Sequence, residues 1–159
     1  MQFKNIMVPF DGSDPSKRAY QTALQFAIDD PSVTLHVVRV VPAEDIPMWL
    51  DDSNPIMGSI QFQIYDAKQY AEIMDRLQQK AREEVEEVVA EEEHKLGDRM
   101  KVVAITRQNA ANGIIDYAEE NGCQLVIMGS RGIGGVRSIL GSVSYNVLHN
   151  IDLPVMIIK

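Results

Sequence analysis

The span "VIMGSRGIGGVRSILGSVS", residues 126–144, holds Gly129, Gly132, Gly134, Gly135 and Gly141, half of the chain's ten glycines. A glycine inside an element costs about 0.5–1 kcal/mol relative to alanine, so such a cluster calls for a compensating use of bare backbone. The chemistry on offer is anion capture. Gly141-Ser142-Val143 stands where a helix is expected to start, and a helix start presents free N–H groups and a positive dipole end to a phosphate. The Ser142 hydroxyl lies beside them. Gly129 and Gly132 let N–H groups reach phosphate oxygens with no Cβ in the way. Ser130 lies between them, and Arg131 and Arg137 add local positive charge. A plain strand-to-helix connection, in which the glycines only turn the chain, is the alternative.

Other chemistries find little support. Cys123 is the only cysteine, and His36, His94 and His149 are scattered without metal-ligand spacing. There is no G-x-x-x-x-G-K-[ST] loop and no G-x-G-x-x-G in the first turn, which argues against a P-loop enzyme and a standard dinucleotide fold. The run "MKVVAIT" ends at Arg107, where a phosphoacceptor domain would want an aspartate. No histidine or glutamate is placed beside the glycine-rich loop to act as a base, so rapid catalysis is not expected. A net charge of −8 argues against a nucleic-acid partner. No apolar run approaches membrane-spanning length, and "MQFKNIMVPF" does not resemble a signal peptide, so a cytoplasmic protein with no membrane partner is expected.

The scaffold that positions the loop is read from periodicity. "FKNIMVPF" (3–10) is a short apolar run stopped by "DGSDPS", where Asp14 before Pro15 reads as a helix cap. The first helix then carries Ala19, Ala23, Leu24, Phe26 and Ala27 on one side. "VTLHVVRVV" (33–41) is a β-branched strand closed by Pro42. Residues 67–96 are helical, with Tyr70, Ile73, Met74, Leu77, Ala81, Val85, Val88 and Val89 as the apolar stripe. A strand at 100–106, a helix stopped by Gly122, a strand at 123–129, a helix at 142–150 and a strand at 154–159 complete the order. Apolar strands alternating with helices predict a single domain over 1–159: an α/β, five-stranded parallel sheet with helices on both faces.

In such a sheet, ligands bind at the carboxyl ends of the strands, where strand order reverses. Three segments converge there: Pro9-Phe10-Asp11-Gly12-Ser13, Val40-Val41-Pro42 and the glycine-rich loop. Asp11 is read as a ligand contact, with a self-bonded turn as its structural alternative. Ser142 has a pure N-cap alternative.

These residues resemble the universal stress protein family over essentially the whole chain. Gly129-Ser130-Arg131-Gly132 and Gly141-Ser142 are similar to the family's glycine motif, "KNIMVPFDGSDPSKRA" to its opening and "LPVMIIK" to its closing strand. One departure stands out: eight residues, Ile133 to Leu140, separate Gly132 from Gly141, one fewer than the usual pattern. Gly134-Gly135 are the positions able to absorb the difference. The resemblance implies a Rossmann-like, adenine nucleotide α-hydrolase-like fold, a homodimer and an adenine-nucleotide site for ATP, or for AMP or another adenine nucleotide. Pro9, Phe10 and Asp11 would border the adenosine and the Val40 backbone the adenine edge. Gly129, Gly132, Gly141, Ser142 and Val143 would hold ribose and phosphates. Mg2+ would be held by phosphates and water, since no acidic ligand set is evident. The function implied is regulation in the stress response, with slow ATP hydrolysis at most. A nucleotide-free dimeric scaffold is the alternative, and an adenylating or pyrophosphatase-type enzyme is a weaker one that lacks the paired glycines of that relative's loop.

Two segments bear on partners. The apolar 154–159 strand is expected at a sheet edge, pairing antiparallel across a two-fold axis with a second copy, with a terminal strand simply covered by neighbouring helices as the alternative. The connection at about 43–66 carries Met48, Trp49, Leu50, Ile56, Met57, Phe62, Ile64 and Tyr65. It is read either as a cover or subunit contact, or as a cluster packed on the following helix.

Overall fold

The computed structural model describes residues 3–43, 67–132 and 140–159. The elements are β1 (Asn5–Pro9), α1 (Asp14–Asp29), β2 (Thr34–Pro42), α2 (Ala67–Leu96), β3 (Met100–Arg107), α3 (Ala110–Glu120), β4 (Leu125–Gly129), α4 (Ser142–Asn150) and β5 (Val155–Ile158). The strands form one parallel sheet in the order β3-β2-β1-β4-β5. Strand order reverses between β1 and β4, so the ligand crevice of such a sheet falls beside Phe10 and Gly129.

Alternation along the strands divides the core into two layers. Ile6, Val8, Leu35, Val37 and Ile127 face α1 and α2, meeting Ala19, Tyr20, Ala23, Val85 and Val89. Met7, Val38, Val126 and Met128 face α3 and α4, meeting Ile114, Tyr117, Ala118 and Val147. Every residue of β4 is buried, which is why its sequence reads as a continuous apolar run rather than an alternating one. Gly122 adopts φ +60 after α3, the left-handed stop anticipated there.

Two expectations need correction. The α1 cap is Ser13, one residue before Asp14: its Oγ accepts the Ser16 N–H at 3.3 Å. The cause lies upstream, where Asp11 Oδ1 accepts the Ser13 N–H at 2.9 Å and turns the chain early. In α2, Met74, Ala81, Val85 and Val89 are buried, but Val88 is 43% exposed. One residue advances a helix by about 100°, so Val88 and Val89 cannot share a narrow stripe. The Tyr70 side chain, the connection over 44–66, and Gly134, Gly135 and Arg137 lie outside the described residues.

Candidate functional site

Three chain reversals build the crevice. At the end of β1, the Phe10 N–H donates to Val38 O at 2.9 Å. The next rung of that ladder would run from the Val40 N–H to Phe10 O. It is not formed among the described residues, and Phe10 O instead accepts from Arg39 Nη1 at 3.4 Å. The strands have parted there, leaving the Val40 backbone turned toward the gap.

At the end of β4, the Ser130 N–H donates to Ile158 O at 2.7 Å and Ser130 O accepts the Gly141 N–H at 2.9 Å. That second bond brings the two glycine clusters together across the intervening residues. Ser144 Oγ donates to Gly129 O at 2.9 Å and Ser13 Oγ to Arg131 O at 3.4 Å, tying the α4 and α1 starts to the same loop. In α4 the first helical bond runs from the Tyr145 N–H to Gly141 O. The Ser142, Val143 and Ser144 amides precede it and have no intrahelical acceptor.

The resulting cavity has a volume of about 500 Å³, within the range typical of small-ligand sites. Pro9, Phe10, Asp11 and Val40 form one wall; Gly129, Arg131, Gly132, Gly141, Ser142 and Val143 form the other. Ser130 stands apart. It is buried behind the wall, its backbone extends the ladder to β5, and its Oγ has no partner among the described residues. Gly141 is the α4 N-cap and gives no side-chain bond, so Ser142 is the first helical residue, exposed at the cavity mouth, and not a cap.

The glycines divide by purpose. A Cβ on Gly129 would lie 2.8 Å from the Pro15 backbone and 2.9 Å from Ser16 N, so this glycine is needed for α1 to pack on β4 rather than to bare an amide. A Cβ on exposed Gly132 would lie 2.6 Å from Asp11 Oδ2, inside the crevice itself. Asp11 has both roles open to it at once: one oxygen makes the turn, the other faces Gly132.

Sequence reasoning passed over Arg39, Ser16 and Ser144, which also line the cavity. Arg39 sits inside a β-branched run whose pattern speaks only of burial, and nothing in its neighbours marks it. Neither Arg39 nor Arg131 forms an ion pair among the described residues. The described lining thus holds two arginines and one carboxylate, Asp11, in a chain of net charge −8.

Of the three histidines, His36 is a core residue. It is 1% exposed, with Nδ1 3.0 Å from the Tyr117 hydroxyl. Burial, aided by the Lys101 charge, lowers its pKa to about 4, so it is neutral. Burial also raises the Tyr117 hydroxyl to about 12 and the Cys123 thiol to about 11, which keeps the thiol protonated and unreactive. Among the described residues no group of three His, Cys, Asp or Glu could hold a metal ion, and no helix is long and apolar enough to cross a membrane.

A parallel sheet with an open crevice at its switch point defines a Rossmann-like α/β domain, and comparison with known proteins gives the family. The chain belongs to the universal stress protein family, whose sequence model matches residues 2–159. It is 29% identical over 162 residues to universal stress protein YxiE of Bacillus subtilis, covering 99% of each chain. It is also 29% identical over 160 residues to universal stress protein MJ0531 of Methanocaldococcus jannaschii, covering 99% of this chain and 82% of that one. Among solved structures, MJ0577 of M. jannaschii superposes with a TM-score of 0.68 at 24% identity, covering 100% of this chain and 97% of the other. The universal stress protein of Archaeoglobus fulgidus in complex with dAMP superposes with a TM-score of 0.58 at 20% identity, with full coverage of both.

Proposed function

We propose that this protein is an adenine-nucleotide-binding regulator of the stress response, acting as a homodimer. One observation carries the reading: an open backbone edge at Val40 and the free amides of the α4 start face one cavity, with Asp11 and Gly132 between them. Val40 offers a backbone donor and acceptor to the adenine edge, and the α4 start offers amides and dipole to phosphate. Arg131 adds charge where the phosphates would lie. The relative from A. fulgidus bound to dAMP supports the choice of ligand class.

ATP is the nucleotide proposed, with AMP as the minimal ligand and Mg2+ held through phosphates and water. The described cavity lining contains no histidine or glutamate, so the reading is a nucleotide-responsive binder with slow hydrolysis at most. The dimer would form at β5, which pairs on one side with β4 and ends the sheet. An open strand edge is a template for a second copy. Mass spectrometry of small molecules released from freshly purified protein, with thermal unfolding in ATP and Mg2+, tests the reading. Released adenine nucleotide and a raised unfolding temperature are expected; no nucleotide and no shift would leave a nucleotide-free scaffold.

A further inference from the structure

The composition of α4 is not that of a solvated helix. Ser142–Asn150 holds no Asp, Glu, Lys or Arg, alone among the described helices, in a chain whose residues are 24% charged. Two of the four exposed large hydrophobics among the described residues stand on it, Tyr145 at 58% and Leu148 at 47% exposure. The Tyr145 ring stacks on His149, with centroids 6.0 Å apart and planes 5° from parallel, so a neighbour already holds it in place. Depleted charge and an ordered aromatic side chain characterise the core of a protein interface.

Helix geometry says which way this face points. Val147 and Ile151 enter the core, while Asn146 and Asn150 line a groove shared with Asn109 and Asn112 at the α3 start. At about 100° per residue, Tyr145 and Leu148 fall on the flank opposite that groove. Because α3 packs over β2 and β3, the flank away from it lies toward β5, whose outer side no described strand pairs. Ser130 ties the two elements together: its N–H donates to Ile158 O at 2.7 Å and its O accepts the Gly141 N–H at 2.9 Å. All four residues of β5 are apolar and part-exposed. The α4 flank and the β5 edge therefore form one apolar surface.

We propose that a second copy of this chain covers the Tyr145–Leu148 flank of α4 together with β5, so that α4 meets its own copy across the two-fold axis. The inference rests on the dimer reading above. A two-fold axis that pairs β5 antiparallel with its copy stands perpendicular to the joined sheet. Both α4 helices then lie on the same face of that sheet, with these flanks toward each other. Pairing the four residues of β5 joins only about 13 Å of strand, whereas a stable pair buries about 800 Å² on each partner. The edge needs adjoining surface, and the uncharged α4 flank is the surface next to it. Asp152, exposed just beyond the helix, belongs to the polar rim.

Sedimentation equilibrium of the full chain, Tyr145→Gln, Leu148→Glu and Val88→Glu tests it, with circular dichroism confirming that each variant folds. Val88 is the control, an apolar residue 43% exposed on α2. Each substitution occurs twice in a two-fold interface, and truncating an anchor costs on the order of tenfold per copy. Tyr145→Gln and Leu148→Glu should therefore each weaken the dimer by about hundredfold, and Val88→Glu should change it by no more than about twofold. A dimer that survives both α4 substitutions but is lost in Ile157→Pro overturns the α4 contact and leaves the β5 pairing in place. A dimer that survives all of these variants overturns both contacts, and one that Val88→Glu weakens as much as Leu148→Glu overturns the assignment to α4. An unsubstituted chain that sediments as a monomer overturns the dimer reading itself.

Discussion

Gly129→Ala separates packing from ligand contact. The added Cβ would sit 2.8 Å from the carbonyl carbon and Cβ of Pro15 and 2.9 Å from Ser16 N. Ordinary carbon contacts begin near 3.5 Å, so α1 would have to retreat by roughly 0.7 Å. The obstacle is helix backbone, held by Ser13 Oγ on the Ser16 N–H and by Ser16 Oγ on Ser13 O at 2.9 Å. Overpacking of a close-packed core costs about 1–3 kcal/mol. Replacing a glycine returns about 0.4–1 kcal/mol through the unfolded chain. A net loss of about 1.3 kcal/mol is expected, which lowers the Tm of a domain this size by roughly 3–5 °C. Urea and thermal unfolding of the ligand-free protein measure it. Gly132→Ala is the control. Its Cβ meets only the movable end of the Asp11 side chain, so stability should change by less than about 0.5 kcal/mol while nucleotide affinity falls. A Gly129→Ala protein as stable as the parent would refute the packing argument and return Gly129 to the ligand.

Ser144→Ala removes the bond to Gly129 O and leaves a buried carbonyl without that donor, costing about 1–2 kcal/mol by urea unfolding. His36 gives a pH dependence of definite sign. Its folded pKa of about 4 lies below its ordinary 6.5, so the unfolded chain takes up the proton first. Its contribution is therefore full above pH 6.5 and is lost as pH falls toward 4, a loss that Leu at position 36 should flatten in pH-dependent unfolding curves. At β5, the Val126 N–H donates to Pro154 O and the Ser130 N–H to Ile158 O. Alternation then turns the Ile157 N–H away from β4, so Ile157→Pro should spare the sheet while sedimentation shows monomer in place of dimer.

Much of this architecture was legible because periodicity reports burial. β4 and β2 read as strands because both of their faces are covered, and α2 was bounded at Ala67 and Leu96 by composition alone. Local chemistry was harder where two signals competed. Asp14-Pro15 looked like a cap and first turn, but the Asp11 turn shifted the helix start to Ser13. The glycine-rich loop pointed to the cavity, yet Gly129 serves the α1–β4 contact, a tertiary fact that no local spacing encodes. Arg39 was passed over for the same reason. Its meaning arises only where β1 and β2 part and Phe10 O is left for its guanidinium.

The most direct test of the central claim is an amide NMR titration of the full chain with 5′-AMP and then ATP with Mg2+. The account predicts that the largest shifts fall on the Val40, Gly132, Ser142 and Val143 amides, with ATP extending the changes along the α4 start. Saturable binding whose shifts cluster away from the carboxyl ends of β1, β2 and β4, or the absence of any shift at these four amides, would contradict it.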